Sequence, residues 1–369
     1  MRIADEQARS LAQQGDHAAS PPVMRALAIT AIVQGDLRLA LELGQQLLAL
    51  TEAEQDCILA VEAHYVMGVT TFWLGDFKAS RDHLERAIER YRPECQQQHL
   101  TLYAQDPNVI CLSRLAFTLW YLGYPEESTQ ASRQAVTEAR KLSHPFTLAY
   151  ALTWTAMLHS HRRDIPLTAQ YASEVIALSE EKQLGIWLHI GRMLQGWTSA
   201  YTEDVEDARA QSHPDRGIAQ MQAALQSLKT IGAEFLKPYF LSLLADAYGR
   251  MGDTDRALDL IQQAFEAMEQ SGEGWVESEL FWRKGKLLRH NSANSAEVQQ
   301  CFERAIAIAQ SQSIPLLELQ ATVSLQKFSQ SAIFPEALSN WFAETLESTP
   351  RERYPSVFQQ AITLLQTLS

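Results

Sequence analysis

Apolar residues recur along this chain at the three- and four-residue spacing of amphipathic helices, in runs of about four turns. Between residues 58 and 74, for example, Val61, Tyr65 and Phe72 fall on one helical face. Most runs come in pairs: 23–34 with 37–50, 58–74 with 77–91, 145–161 with 166–181, 186–201 with 215–230, 238–250 with 254–270, and 275–289 with 296–311. Two further runs cover 107–121 and 315–329. The pattern predicts helix hairpins.

The turns within and between the pairs repeat two signals. A glycine closes the first helix in Val33-Gln34-Gly35-Asp36, Trp73-Leu74-Gly75-Asp76, Tyr121-Leu122-Gly123-Tyr124 and Arg250-Met251-Gly252-Asp253. A proline opens first helices in Asp106-Pro107, His144-Pro145, Lys237-Pro238 and Ile314-Pro315. A hairpin unit that recurs every 35–50 residues is typical of a helical solenoid. The predicted fold is therefore an all-α, right-handed superhelical solenoid.

Three segments are predicted from where the repeats begin and end. Residues 1–22 form a partial helix and a loop, 23–329 the repeat array, and 330–369 C-terminal capping helices, with a last helix at about 354–368. Residues 92–106 are predicted to be a long polar loop, and Thr202 to Arg216 an exposed acidic insertion. The third complete pair turns at Arg162-Arg163-Asp164 without a glycine.

Composition limits the kinds of function. Hydrophobic residues make up 46% of the 369 positions, enough for a continuous core, and the net charge of −13 argues against a nucleic-acid partner. The four cysteines have no CxxC spacing, and Cys57, Cys111 and Cys301 are expected in the core. No leader pattern and no apolar stretch of 18 residues occurs, so a cytoplasmic protein without membrane contact is expected.

The chain resembles tetratricopeptide repeats, best over 238–266. Small residues occupy the position where the helices of a pair approach closely; these are Gly68, Ala116, Ala156, Gly196, Ala245 and Gly285. Two segments, 102–125 and 142–159, resemble more narrowly the tetratricopeptide region of bacterial predicted ATPases associated with class III nucleotide cyclases and protein kinases. This resemblance implies regulation or protein contact. A more distant resemblance, to the sensor region of maltose-type activators, implies inducer binding.

The sequence departs from those ATPases because it has no G-x-x-x-x-G-K-[ST] phosphate loop and no cyclase or kinase segment. The chain is therefore expected either to lack such an effector or to work with one in trans. His159 and His161 are two residues apart and point away from each other on a helix, which excludes a shared metal. No G-x-S-x-G motif is present. The sequence predicts a non-enzymatic protein without metal or cofactor.

The candidate binding surface follows from the tetratricopeptide resemblance, in which first helices line the concave side. The corresponding residues here are Tyr65, Phe72, Trp73, Trp120, Tyr121, Tyr150, Thr153, Trp197, Tyr201, Tyr239, Asp246, Glu279, Trp282 and Lys286. Large aromatic residues favour binding hot spots, although each one could instead be packed between repeats. The prediction is a scaffold or regulatory adaptor that binds a polypeptide in this groove. The alternative is a module that closes around a small molecule. The loop Tyr103 to Pro107 is a second candidate contact site, for which a helix cap is the preferred interpretation.

Overall fold

The computed structural model describes residues 20–54, 56–201, 214–290, 295–329, 336–348 and 358–363. Within these ranges all regular structure is helical, and no β-strand is present. The predicted all-α solenoid is confirmed. The expected helix at 4–14, residues 202–213 of the acidic insertion and much of the expected last helix lie outside the described ranges.

The helices alternate in tandem hairpins, and each predicted run is a helix to within a few residues. In chain order they are α1 (Pro21–Gln34), α2 (Leu37–Glu54), α3 (Cys57–Trp73), α4 (Phe77–Arg90), α5 (Gln96–Tyr103), α6 (Pro107–Tyr121), α7 (Pro125–Lys141), α8 (Pro145–His161), α9 (Ile165–Lys182), α10 (Gly185–Tyr201), α11 (Pro214–Thr230), α12 (Lys237–Arg250), α13 (Thr254–Ser271), α14 (Glu277–His290), α15 (Ser295–Gln312), α16 (Pro315–Ser329) and α17 (Glu336–Ser348). Residues 358–363 are also helical.

The turn chemistry explains where helices begin and end. Asp106 Oδ1 accepts a hydrogen bond from the Val109 N–H at 3.0 Å, while Pro107 occupies the first position, where no donor is needed. Gly123 ends its turn at φ 84°, a left-handed conformation that glycine adopts without strain. In the pair without a glycine, Arg163 takes up this conformation at φ 60°. This places a cationic side chain at a hairpin turn.

Small residues allow neighbouring helices to approach each other closely. A Cβ added at Gly196 of α10 would lie 2.7 Å from the carbonyl oxygen of Gly217 in α11. A Cβ at Gly68 would lie 2.7 Å from the Leu84 side chain, and one at Gly285 2.8 Å from Phe302. The predicted close-approach role of these glycines is confirmed.

The prediction of a plain loop at 92–106 is wrong. The segment holds a 3₁₀ turn at Pro93–Cys95 followed by α5. His99 of α5 is buried, and its Nδ1 lies 2.8 Å from Oε1 of Glu62, whose Oε2 accepts a hydrogen bond from Arg25 Nε at 2.9 Å. A polar helix was missed because its buried face pairs with charges from α1 and α3 and carries few apolar residues.

The cysteines divide by position. Cys111 and Cys301 are buried, as predicted. Cys57 is exposed, so its predicted place in the core is wrong. It is the first residue of α3, where the helical pattern alone does not decide which side faces solvent.

The superhelix closes on itself. The Val33 carbonyl oxygen accepts hydrogen bonds from Glu234 N (3.0 Å) and Phe235 N (3.2 Å), about 200 residues further along the chain. The Trp73 carbonyl oxygen accepts in the same way from Gly274 N (2.9 Å) and Trp275 N (3.3 Å). The ends of α1 and α3 are therefore joined to the segments that precede α12 and α14.

The third glycine turn, at Gly123, also contacts a late part of the chain. A Cβ at Gly123 would lie 2.6 Å from Pro315 and 2.8 Å from the Trp341 ring nitrogen, so this turn touches α16 and α17. Three successive turns of the early hairpins thus contact three successive late hairpins. The early inner wall is covered by the chain's own later repeats.

Trp275 lies at the centre of the closure and is fully buried. Its ring packs against aromatic residues of both parts of the chain: Phe72 (5.6 Å between centroids), Trp73 (5.4 Å), Phe117 (6.5 Å), Tyr121 (6.0 Å), His161 (6.0 Å) and Tyr239 (5.4 Å). Aromatic rings at these separations attract one another beyond simple area burial. The inner side of the superhelix is therefore largely a packed aromatic core.

Candidate functional site

The predicted groove residues fall into two groups. One group, the core group, is buried and does not line the inner cavity described below: Tyr65, Phe72, Trp73, Tyr150, Thr153, Trp197 and Tyr239. The other group lines one cavity on the inner side: Trp120, Tyr121, Tyr201, Asp246, Glu279, Trp282 and Lys286. The sequence placed both groups on the same inner wall, and the closure of the superhelix separates them.

The core group packs as follows. Phe72 and Trp73 contact Trp275, and Tyr239 stacks on His161 with centroids 4.6 Å apart. Trp197 is fully buried, 4.8 Å from the Tyr201 ring. The other three are also buried: Tyr65 beneath the Arg25 guanidinium, Tyr150 against Trp187, and Thr153 with no exposed surface. These seven side chains hold the repeats together, which leaves them little surface for a partner.

The cavity has a volume of about 450 Å³. Its walls come from the end of α6, the turn between α8 and α9, the end of α10, the inner faces of α12, α14 and α16, and Gln360. These elements are distant in sequence and meet only because the chain turns back on itself. The size is within the range of roughly 300–1,000 Å³ that is typical of ligand sites.

Two carboxylates lie within a network of arginines. Asp246 Oδ2 accepts hydrogen bonds from Arg163 Nη2 (2.7 Å) and from the Tyr201 hydroxyl (2.8 Å), and also from Arg283 Nη1. Arg283 Nη2 donates to Glu279 Oε1 at 2.6 Å. Each cation therefore faces a carboxylate, and the network joins the α8–α9 turn to α12 and α14.

These contacts set the ionisation of the network. Burial alone would raise the pKa of Asp246, but Arg283 and Arg163 hold that pKa well below its usual range. Burial would likewise raise the pKa of Glu279, and Arg283 keeps it lowered. Burial lowers the pKa of His161 to about 4, with Glu279 opposing and Arg283 and Arg163 adding to the effect. At neutral pH both acids are charged and His161 is neutral.

Other cations at the cavity lie over aromatic rings. The contacts are Lys286 Nζ over Trp282 (4.5 Å to the centroid), Arg162 over Trp120 (5.5 Å) and Arg250 over Tyr201 (4.3 Å). Attraction by a ring face holds a cation in place without accepting all of its N–H donors. Three of the predicted groove aromatics therefore serve as supports for basic side chains.

Sequence reasoning missed most of this basic lining. It predicted only a hairpin turn at Arg162-Arg163-Asp164, whereas Arg163 binds Asp246, 83 positions later. It also gave no role to His161, Arg250, Arg289 or Lys327, which line the cavity. The available signals were Asp246, Glu279 and Lys286, three charged residues at predicted inner positions. Their partners could not be identified without the superhelical contact.

The remaining candidates have structural roles. Asp106, at the end of the loop 103–107, caps α6 and accepts a hydrogen bond from the Tyr91 hydroxyl at 2.7 Å. His159 Nδ1 lies 3.5 Å from Asp164 Oδ2, and its ring stacks on Tyr171. Among the described residues no group of three or more His, Cys, Asp or Glu side chains could hold a metal ion. None of the described helices combines the length and hydropathy needed to cross a bilayer.

Comparison with known proteins agrees with the repeat architecture. The tetratricopeptide repeat family model matches residues 238–263, which span α12 and part of α13. An uncharacterised protein of Rhizobium meliloti (strain 1021) is 20% identical over 289 residues. The match covers 78% of this chain and 27% of that relative, so the chain spans about a quarter of the relative's length.

Two solved structures share the fold over nearly the whole chain. A Rap protein complexed with Competence and Sporulation Factor is 13% identical with a TM-score of 0.59, covering 95% of this chain and 97% of its own. Human IFIT1, solved as a dimer with m7Gppp-AAAA, is also 13% identical with a TM-score of 0.50, covering 99% and 76%. At these identities the likeness shows the fold, a helical repeat scaffold of the tetratricopeptide type.

Proposed function

We propose that this protein is a non-enzymatic scaffold or regulatory adaptor that binds a polypeptide partner by accepting a short segment of it into the 450 Å³ cavity. The observation that carries the proposal is the convergence of groove residues from separate hairpins on one cavity. Solenoids commonly bind partners on the concave surface, where aromatic and arginine side chains supply most of the affinity.

The cavity is large enough for a short segment only, at about 450 Å³. Apolar side chains of such a segment would contact Leu316, Leu317 and Trp282 in the lining. The Rap complex, similar in fold, supports the idea that such a superhelix accommodates a ligand.

The proposal can be tested by site-specific photo-crosslinking in an extract of the source cells. A benzophenone amino acid replaces Gln320, a half-buried residue of α16 that lines the cavity. The matched control carries it at Gln262, an exposed residue of α13 that is absent from the cavity lining. Digestion and mass spectrometry of the crosslinked product identify what is attached.

The expected product at position 320 is a peptide from one polypeptide partner, which is not obtained from position 262. Its yield should fall when Trp282 is replaced by alanine, because an aromatic wall of the cavity is then lost. Equal products from the two positions would contradict the proposal. So would a product at 320 that contains only a small molecule, which would favour a ligand sensor.

A further inference from the structure

We infer that the partner segment is acidic, with aspartate or glutamate side chains placed among the basic residues of the cavity. This inference rests on the proposed function, since it specifies the chemistry of the segment that the cavity accepts. It rests on three properties of the lining: its charge balance, the state of its own carboxylates and the donors that lack acceptors.

The charge balance of the cavity is opposite to that of the chain. The lining contains two carboxylates, Asp246 and Glu279, against six basic side chains: Arg162, Arg163, Arg250, Lys286, Arg289 and Lys327. The whole protein carries a net charge of −13. A net positive cavity in an acidic protein attracts anions locally, while the remaining surface repels them. Such an arrangement favours one acidic segment at one place.

The two carboxylates do not neutralise this excess. Asp246 already accepts from Arg163 and Arg283, and Glu279 from Arg283. Arg283, which contacts both carboxylates, is almost fully buried, with 2% of its side chain exposed. Two acids are thus balanced by two arginines behind and beside the cavity. The positive charge of Lys286, Arg289 and Lys327 is additional to this balanced set.

Lys286 shows the effect of that surplus. Burial lowers its pKa, and Arg163, Arg283 and Arg289 add to the lowering, whereas Asp246 opposes it. A lysine in this setting gains when an anion arrives, because the incoming charge offsets its cationic neighbours. The Trp282 ring holds the ammonium group 4.5 Å from its centroid and leaves N–H donors available.

Two buried polar groups that line the cavity lack partners among the described residues. The Tyr121 hydroxyl, only 2% exposed, has no hydrogen-bond partner there, and neither has His161 Nε2. Glu279 Oε2 also lacks one, and His161 Nδ1 lies 3.7 Å from it. Unpaired buried polar groups cost free energy, so an acceptor brought by a ligand is favoured. A carboxylate supplies such acceptors, and it also supplies the charge that the surrounding cations attract.

The test uses three matched libraries of seven-residue peptides, acetylated and amidated so that no terminal charge contributes. The three central positions are Asp and Glu in one library, Asn and Gln in the second, and Lys in the third; the flanking positions are the same mixtures of apolar and aromatic residues. Binding to the full-length protein is measured by fluorescence anisotropy. Inorganic phosphate at constant ionic strength is the small-anion competitor.

The acidic library is expected to bind at least tenfold more tightly than the amide library and to weaken as salt is raised. Each of Lys286→Gln and Arg289→Gln should weaken it by about fivefold, the upper range for partly exposed charge pairs. Lys182→Gln is the matched control and should bind as the wild type does. It is exposed at the far end of α9, about 25 Å along the helix from the cavity. Thermal melts confirm that each variant is folded.

Equal binding of the acidic and amide libraries would overturn the inference, as would failure of all three to bind. A partner crosslinked through position 320 would then leave the proposed function standing. Complete competition by millimolar phosphate would also overturn it, because the cavity would then select a small anion. Loss of both the crosslink and peptide binding would instead reject the proposed function itself.

Discussion

Replacing Trp275 with alanine is the sharpest test of the closed superhelix. Trp275 follows Gly274, whose N–H donates a hydrogen bond to the Trp73 carbonyl oxygen. The Trp275 ring fills the space between the early and late hairpins. If the closure is a packed core, this one side chain should both stabilise the fold and hold the two ends of the superhelix together.

The expected magnitude follows from burial. Replacing a buried tryptophan by alanine typically costs about 3–5 kcal/mol in unfolding free energy, since the cavity left behind collapses only partly. Trp275 has no exposed surface and contacts six rings, so the upper half of that range is expected. Against a typical total of about 5–15 kcal/mol, this is a large share of the stability.

The assay is urea unfolding followed by far-UV circular dichroism, combined with small-angle X-ray scattering below the transition. Trp187→Ala is the matched control, because Trp187 is 7% exposed and packs on Phe146 and Tyr150 of a neighbouring hairpin. Both variants should lose stability. Only Trp275→Ala should increase the radius of gyration, because only it joins repeats about 200 residues apart in sequence.

Two results would refute this reasoning. A loss below about 1 kcal/mol would mean that Trp275 is not part of a tightly packed core. An unchanged radius of gyration in a clearly destabilised Trp275→Ala variant would mean that the backbone hydrogen bonds to Val33 and Trp73 hold the closure without it.

Two further predictions concern other parts of the fold. Gly196→Ala should destabilise the protein by about 1–3 kcal/mol, because the added Cβ would lie 2.7 Å from the Gly217 carbonyl oxygen. Gly185→Ala is the control and should be neutral or slightly stabilising, because an added Cβ there has no neighbour within 4 Å. Equal urea midpoints for the two variants would contradict this prediction. Burial raises the pKa of Glu273 from 4.5 to about 7, with hydrogen bonds from Trp275 and Ser271 opposing. The folded state therefore holds an extra proton on Glu273 between these values, and the contribution of Glu273 to stability falls as pH rises from about 4.5 to about 7. Glu273→Gln should remove that loss and exceed the wild type by up to about 3 kcal/mol at pH 8, with little gain at pH 4; a pH-independent difference would contradict the assignment.

The local architecture was readable from the sequence. Helical periodicity, proline at first positions and glycine at turns predicted the hairpins to within a few residues, because each signal acts within four positions of the residue that carries it. The close approach of α10 and α11 was predicted in the same way, from Gly196 alone. Helix α5 was missed because His99 and its neighbours are polar, and their burial depends on Glu62 from another helix.

For the candidate site, the tetratricopeptide resemblance, applied to the sequence, supplied the positions of the first helices that were expected on the inner side of the superhelix. The tertiary structure decided which of them remain accessible. Small rotations between successive hairpins add up over about 200 residues until Gly274 meets Trp73. No local pattern encodes this accumulated rotation. Because of it, Phe72 and Trp73 are buried, whereas Trp282 and Lys286 line a cavity beside Arg163.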